Sequence, residues 1–280
     1  MATNKFIPGL NYWNQIQKYH TSRQTAYELF GYNGPEYAFL GLGFELEFDT
    51  LRPVSSDDYR ERLAEILITN NTKDEYFVEH DSSLRFGCEL ITQPHTIEAL
   101  RDFLNTDIRY LLKEISEKTE TKNHALNSAL HIHISKGVFG STPEEQQENV
   151  AKLWYLFSQE EYLIKKIGNR RIFRKCRFPE IKHTQKTARE VTQAHWNSKN
   201  RRDRYWAINC RNEPTIEIRA IASTTDYDEL VALIEFYWFL ANKSKNIPWS
   251  AAGNIASWIE DMPLACREYI NTKIHTFNLN

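Results

Sequence analysis

An α+β fold is predicted by three observations in the sequence. Four short segments alternate polar and apolar residues, as strands with one buried face do. Longer segments between them repeat apolar residues at helical spacing. The polar positions of the alternating segments are concentrated in glutamate, histidine and arginine, where a half-buried sheet ordinarily scatters lysine, threonine and glutamine. One sheet face is thus expected to carry ligand-binding side chains, with helices packed on the other.

The first forty residues hold many aromatics (Tyr12, Trp13, Tyr19, Tyr27, Phe30, Tyr32) and end in the turn signal Gly31-Tyr-Asn33-Gly34-Pro35. They read as an amino-terminal helical arm over 1–39, because a unit of that size is hard to stabilise alone. The main domain is expected over 40–280. In Gly43–Phe48, Glu45 and Glu47 share one face and Phe44, Leu46 and Phe48 the other. A helix follows over Asp57–Thr69, with Tyr59, Leu63, Ile66 and Leu67 on one stripe. Gly87–Ile91 is the second strand; it carries Glu89 and is preceded by Asp81 in a turn-like His-Asp-Ser-Ser. Leu100, Leu104, Ile108, Leu111 and Ile115 predict one helix over Ile97–Glu117. Leu130–Ser135 sets His131, His133 and Ser135 against Leu130, Ile132 and Ile134. Thr142 as cap, Pro143 at the first helical position and Glu145 closing a capping box start a helix expected to reach Ile167 and end at Gly168. Pro214–Ala220 opposes Glu217 and Arg219 to Ile216 and Ile218, and a last helix follows Thr225.

Composition excludes several function classes. The 35 basic residues against 37 acids leave a net charge of -2, with no overall pull toward nucleic acid or an anionic membrane. The amino end lacks the apolar core of a signal peptide, and Leu230–Ala241 is too short to span a bilayer. Cys88, Cys176, Cys210 and Cys266 show no Cys-x-x-Cys spacing, and reduced buried thiols are the plain reading. A cytoplasmic protein is expected. Neither a P-loop nor a dinucleotide fingerprint is present.

Each motif alone has a plain reading. A Glu-x-Glu strand is ordinarily a solvated face, Glu-x-Arg a surface ion pair, and Asp81 a turn former. Their combination differs. If the strands share a sheet, Glu45, Glu47, Asp81, Glu89 and Glu217 converge, and crowded carboxylates take up protons unless cations neutralise them. So oxygen-rich a donor set suits magnesium or manganese better than zinc. Two basic runs, Asn169–Arg177 and Lys199–Tyr205, offer partners for an anion.

The order GFELEF, DSSLRFGCELITQP, HIHIS and RYWAINCRNEPTIEIRAIAST, over roughly residues 40 to 240, resembles the amidoligase family within the glutamine synthetase-like superfamily of carboxylate–amine ligases. The resemblance implies a curved, mainly antiparallel sheet with a polar metal and nucleotide face. It implies Glu47, Asp81 and Glu89 on one metal and Glu45, His131 and Glu217 on another. It places His133, Ser135 and Arg219 on the nucleotide and Arg204 or Lys199 on its phosphates, with Arg219, Glu217 and Arg204 serving the chemistry. ATP and Mg2+ (or Mn2+) are the implied cofactors, a small-molecule or peptide carboxylate and an amine the implied substrates, with no membrane partner. Asp81 is shorter than the family's usual glutamate, and Asn127–Leu130 replaces a glycine-rich stretch. No ammonium-pocket loop is found, so the acceptor is not expected to be simply ammonia.

The implied reaction is attack of a carboxylate on the γ-phosphate of ATP, followed by displacement of phosphate by the amine. Phosphorylation replaces hydroxide, a poor leaving group, with a good one. The long basic segment Arg170–Arg177 is the expected grip for the carboxylate substrate. The alternatives are a phosphotransferase on the same scaffold and a non-catalytic binder of nucleotide or nucleic acid using the basic runs. Retention of all five acids argues against the last.

Overall fold

The computed structural model describes residues 11–16, 33–35, 38–50, 56–124, 127–170, 176–178, 184–196 and 198–275. Most of the expected amino-terminal arm, and residues 171–175 of the first basic run, lie outside these.

The α+β class holds. Six strands form one antiparallel open sheet: β1 Leu42–Phe48, β2 Tyr76–Glu79, β3 Cys88–Thr92, β4 Ala129–Ser135, β5 Ile208–Asn209 and β6 Thr215–Ala222, in the order β2-β3-β1-β4-β6-β5. The chain divides into two compact units. One comprises Met1–Gly31, Leu42–Leu130 and Ala222–Tyr227; the other Tyr32–Gly41, His131–Ile221 and Asp228–Asn280. Among the described residues no helix is long and apolar enough to cross a membrane.

In the first unit, β3 lies between β1 and β2, and register decides the two faces. Leu46 stands opposite Leu90, which stands opposite Val78, while Glu47 faces Glu89 and Glu89 faces Glu79. Side chains paired across strands point the same way, so one face is a row of hydrocarbon and the other a row of glutamates. Helix α1, Ser56–Asn70, covers the hydrocarbon face. There Tyr76 of β2 donates its hydroxyl to the Leu67 carbonyl at 2.7 Å, and Leu63 and Leu67 are fully buried.

The helix expected over Ile97–Glu117 is broken into α2, Ile97–Phe103, a single π turn, Leu104–Ile108, and α3, Arg109–Lys118. The apolar spacing explains the break. From Leu100 to Ile108 an ideal helix overshoots two full turns by about 80°. The wider turn takes up that excess, and Leu100, Leu104, Ile108, Leu111 and Ile115 are all buried.

In the second unit β5 pairs with β6, Asn209 facing Glu217 and Ile208 facing Ile218. The helix expected from Pro143 to Ile167 is two: α4, Pro143–Gln159, and α5, Glu161–Gly168. Glu160 leaves the helical region at φ -106°, ψ 25°, and its carboxylate accepts from the Ile255 amide at 3.2 Å. The residue that turns left-handed at the end is Asn169, φ 49°, not Gly168. Gly168 answers a different need, since a Cβ there would stand 2.0 Å from the Ala220 carbonyl oxygen. Beyond these lie α6, Gln185–His195, α7, Tyr227–Asn246, and α8, Leu264–His275. Trp154, Phe157, Phe236 and Tyr237 fill the core of this unit.

The start of α4 follows the expected chemistry with one shift. Thr142 Oγ1 accepts from the Glu145 amide at 3.2 Å, and Glu145 returns a bond to the amide of Ser141 at 2.8 Å, one residue before the cap. Thr142→Ala is expected to cost about 1 kcal/mol in urea unfolding, with the far-ultraviolet spectrum unchanged.

Candidate metal centre

The glutamate row of the first unit is buried where a carboxylate is least welcome. Glu47 is 3% exposed, Glu89 1% and Glu79 0%. Asp81 follows the end of β2, and ligand atoms of Glu47, Asp81 and Glu89 lie within 4.8 Å of one another. Glu47 Oε2 accepts from the Ala129 amide at 2.6 Å, and Asp81 Oδ1 accepts from the Ser83 amide at 2.5 Å. Glu89 Oε1 is buried with no hydrogen-bond partner. Burial, then the charges of Glu45, Asp81, Glu47 and Glu79, push the Glu89 carboxyl up to about 10. Two compensations are open to such a group: it keeps its proton, or a cation replaces it.

Local sequence builds this cluster. Asp49, buried just after β1, takes the amide of Thr50 at 2.8 Å and that of Phe86 at 3.2 Å on Oδ1, and the amide of Arg85 at 3.1 Å on Oδ2. One carboxylate thus ties the loop after Asp81 to the end of β1. Gly87 completes the approach, because a Cβ there would lie 1.6 Å from the Phe48 carbonyl oxygen. The plain reading of Asp81 and the functional one are both present: it makes the turn, and its carboxylate remains at the cluster.

Glu45 belongs to β1 of this unit and is half-buried. The other sequence-predicted residues fall in the second unit. There His131 Nδ1 lies 3.6 Å from Glu217 Oε1, beyond hydrogen-bond length. Glu217 Oε1 also pairs with Arg219 Nη1, while Glu217 Oε2 accepts from Asn209 Nδ2 at 2.6 Å and Asn212 Nδ2 at 3.4 Å. The Glu-x-Arg pair is therefore buried rather than a surface pair, and a desolvated pair with added amide donors is costly to break. His133 Nδ1 is 3.4 Å from Thr215 Oγ1, and Ser135 is buried with its amide on the Gly41 carbonyl at 2.9 Å. Lys199 is exposed and Arg204 half-buried over the Tyr205 ring at 5.3 Å; neither has a carboxylate partner among the described residues. Of the first basic run, Arg170 is buried with Nη1 on the Arg219 carbonyl, and Arg177 lies 4.6 Å from the Trp206 ring centroid. Arg170 therefore supports the backbone of β6.

Sequence reasoning passed over Glu79, Asn209 and Asn212. Glu79 ends Tyr-Phe-Val-Glu, a strand whose Phe77 stands on the same face as Glu79, so the segment shows no alternation. Asn209 belongs to, and Asn212 follows, a two-residue strand too short to show any pattern.

The donors gathered in the first unit are all carboxylate oxygens, which fits a hard divalent ion and leaves zinc without its preferred imidazole or thiolate. The chain matches no model of a known protein family and no curated protein.

Proposed function

We propose that the protein is an ATP-dependent carboxylate–amine ligase of glutamine synthetase-like fold, dependent on magnesium or manganese. The observation that supports it most is the buried, unpartnered Glu89 Oε1 among the carboxylates of Glu47 and Asp81. An apolar or amide side chain would pack there at far less cost unless a cation belonged among them. The order of the strand motifs supplies the reaction class.

Glu47, Asp81 and Glu89 would hold the ion, which when bound neutralises phosphate charge and draws electrons from the transferring group. The Ala129 and Ser83 amides fix two of these carboxylates before any ligand arrives, which lowers the cost of organising the site. Arg204 or Lys199, cations without carboxylate partners among the described residues, would bind phosphates. His133 and Ser135 orient the nucleotide, and Arg219, held by Glu217, offers fixed positive charge. A substrate carboxylate oxygen attacks the γ-phosphorus, the bond to ADP breaks, and an acyl phosphate forms. The amine nitrogen then bonds to the acyl carbon, phosphate leaves, and the nitrogen loses a proton.

Hydroxylamine tests this directly, since as a small nucleophile it traps acyl phosphates as hydroxamates. With a panel of amino acids and small peptides bearing side-chain carboxylates, ADP release that needs Mg2+ or Mn2+ and matches hydroxamate one for one is expected. ADP with a phosphorylated amine and no hydroxamate would identify a phosphotransferase. No ADP from any carboxylate, with salt-sensitive oligonucleotide binding, would leave a binding protein.

A further inference from the structure

A second cluster lies beside Asp81 in the first unit and was not singled out in the sequence. The Arg60 guanidinium, on α1, is 5.2 Å from the Trp13 ring and 5.6 Å from the Phe86 ring. Trp13 is placed there by Glu61, whose carboxylate accepts from the amides of Tyr12 at 2.6 Å and Trp13 at 2.9 Å. Trp13 in turn meets His80 edge-on, ring centroids 4.7 Å apart. Arg60 spends Nη2 on the Arg85 carbonyl at 3.0 Å. Its Nε is buried without an acceptor, and among the described residues it forms no ion pair. Arg85, exposed and 5.0 Å from Phe86, forms none either.

An arginine serving stability alone ordinarily takes a carboxylate. The carboxylate of the neighbouring Glu61 has both oxygens engaged by backbone amides. Two rings flank the guanidinium, Nη2 is taken by the Arg85 carbonyl and Nε has no acceptor, so N–H donors remain for an anion such as a carboxylate. We propose that Arg60, held by Trp13 and Phe86 and assisted by Arg85, binds a carboxylate group beside Asp81 and so is the recognition site for the carboxylate-bearing substrate. The role of that carboxylate as substrate rests on the ligase reading; its binding does not. The segment expected to grip the carboxylate, Arg170–Arg177, lies mostly outside the described residues, and its Arg170 is occupied with the β6 backbone.

The side-chain Nε–H of Arg60, assigned by its loss in Arg60→Lys, is a direct reporter in proton–nitrogen NMR of the full chain. Glutarate is expected to shift this signal saturably, and Arg60→Lys, which keeps the charge and the ring contacts but loses the planar fork, to weaken glutarate binding at least tenfold. An unchanged melting temperature would show that the variant folds. Absence of any shift with glutarate would overturn the site, and a shift with inorganic phosphate alone would overturn the carboxylate assignment. The two readings fail separately. Glutarate binding without ATP-dependent hydroxamate leaves the anion site and removes the ligase. Hydroxamate formation with an unchanged KM for the carboxylate in Arg60→Lys leaves the ligase and removes this site.

Discussion

Glu89→Gln is expected to make the metal-free protein more resistant to unfolding at pH 8 and to weaken divalent-ion binding more than about 100-fold. The sign follows from the raised Glu89 carboxyl, about 10 in the fold against an ordinary 4.5. Between those values the unfolded chain ionises Glu89 and the folded chain does not, so stability present below pH 4.5 is lost as pH rises toward 10. Each pH unit in that window is worth about 1.4 kcal/mol, and glutamine removes the slope. The gap between variant and wild type should therefore shift in favour of glutamine by on the order of 3 kcal/mol between pH 5 and pH 8 in chelator. Manganese should reverse the order, because only the ionised carboxylate serves as a ligand. Guanidinium unfolding at both pH values, with chelator and with Mn2+, decides the matter. A variant less stable by the same amount at every pH would mark Glu89 as a charged structural partner and remove the metal assignment.

Gly87→Ala should be the most damaging single methyl in the first unit. The added carbon would meet Phe48 O at 1.6 Å and Phe48 C at 2.7 Å, both backbone atoms of the strand that β3 pairs with. Neither strand can yield without parting Glu47 from Glu89, so a loss of about 3 kcal/mol or more is expected. Ion binding should fall as well, although every carboxylate is retained. Gly253→Ala is the control: its nearest neighbour is Gln159 Cγ at 3.3 Å, on a flexible side chain that can move aside. Equal midpoints for the two variants would show that β1 and β3 are not held as closely as described.

What the sequence made legible follows from how burial prints itself on a strand. β1, β3, β4 and β6 each have one polar face, so alternation revealed them to within two residues, along with Glu45, Glu47, Glu89, His131 and Glu217. β2 carries Phe77 on the same face as Glu79, so its four residues show no alternation and Glu79 stayed out of view. Residue spacing likewise hid the break at Glu160, whose cause is a contact with the distant Ile255 amide. The Arg60 cluster was invisible for the same reason, since it joins residues 13, 60 and 86 through ring contacts rather than any local pattern.

The π turn at Leu104–Ile108 bears on how this chain accommodates changes in length. The Arg109 amide reaches back to the Leu104 carbonyl, five residues rather than four. Such a turn carries one residue more than regular helix over the same rise, so α2 and α3 together hold a surplus residue at a known place. An extra residue absorbed in this way does not rotate Leu111 and Ile115 off the core. Loss of one residue within the turn would restore regular helix while leaving both flanks in register. Loss anywhere else along 97–118 would swing every later side chain by about 100°. Insertions and deletions among related chains should therefore collect at this turn and be absent from the helix on either side.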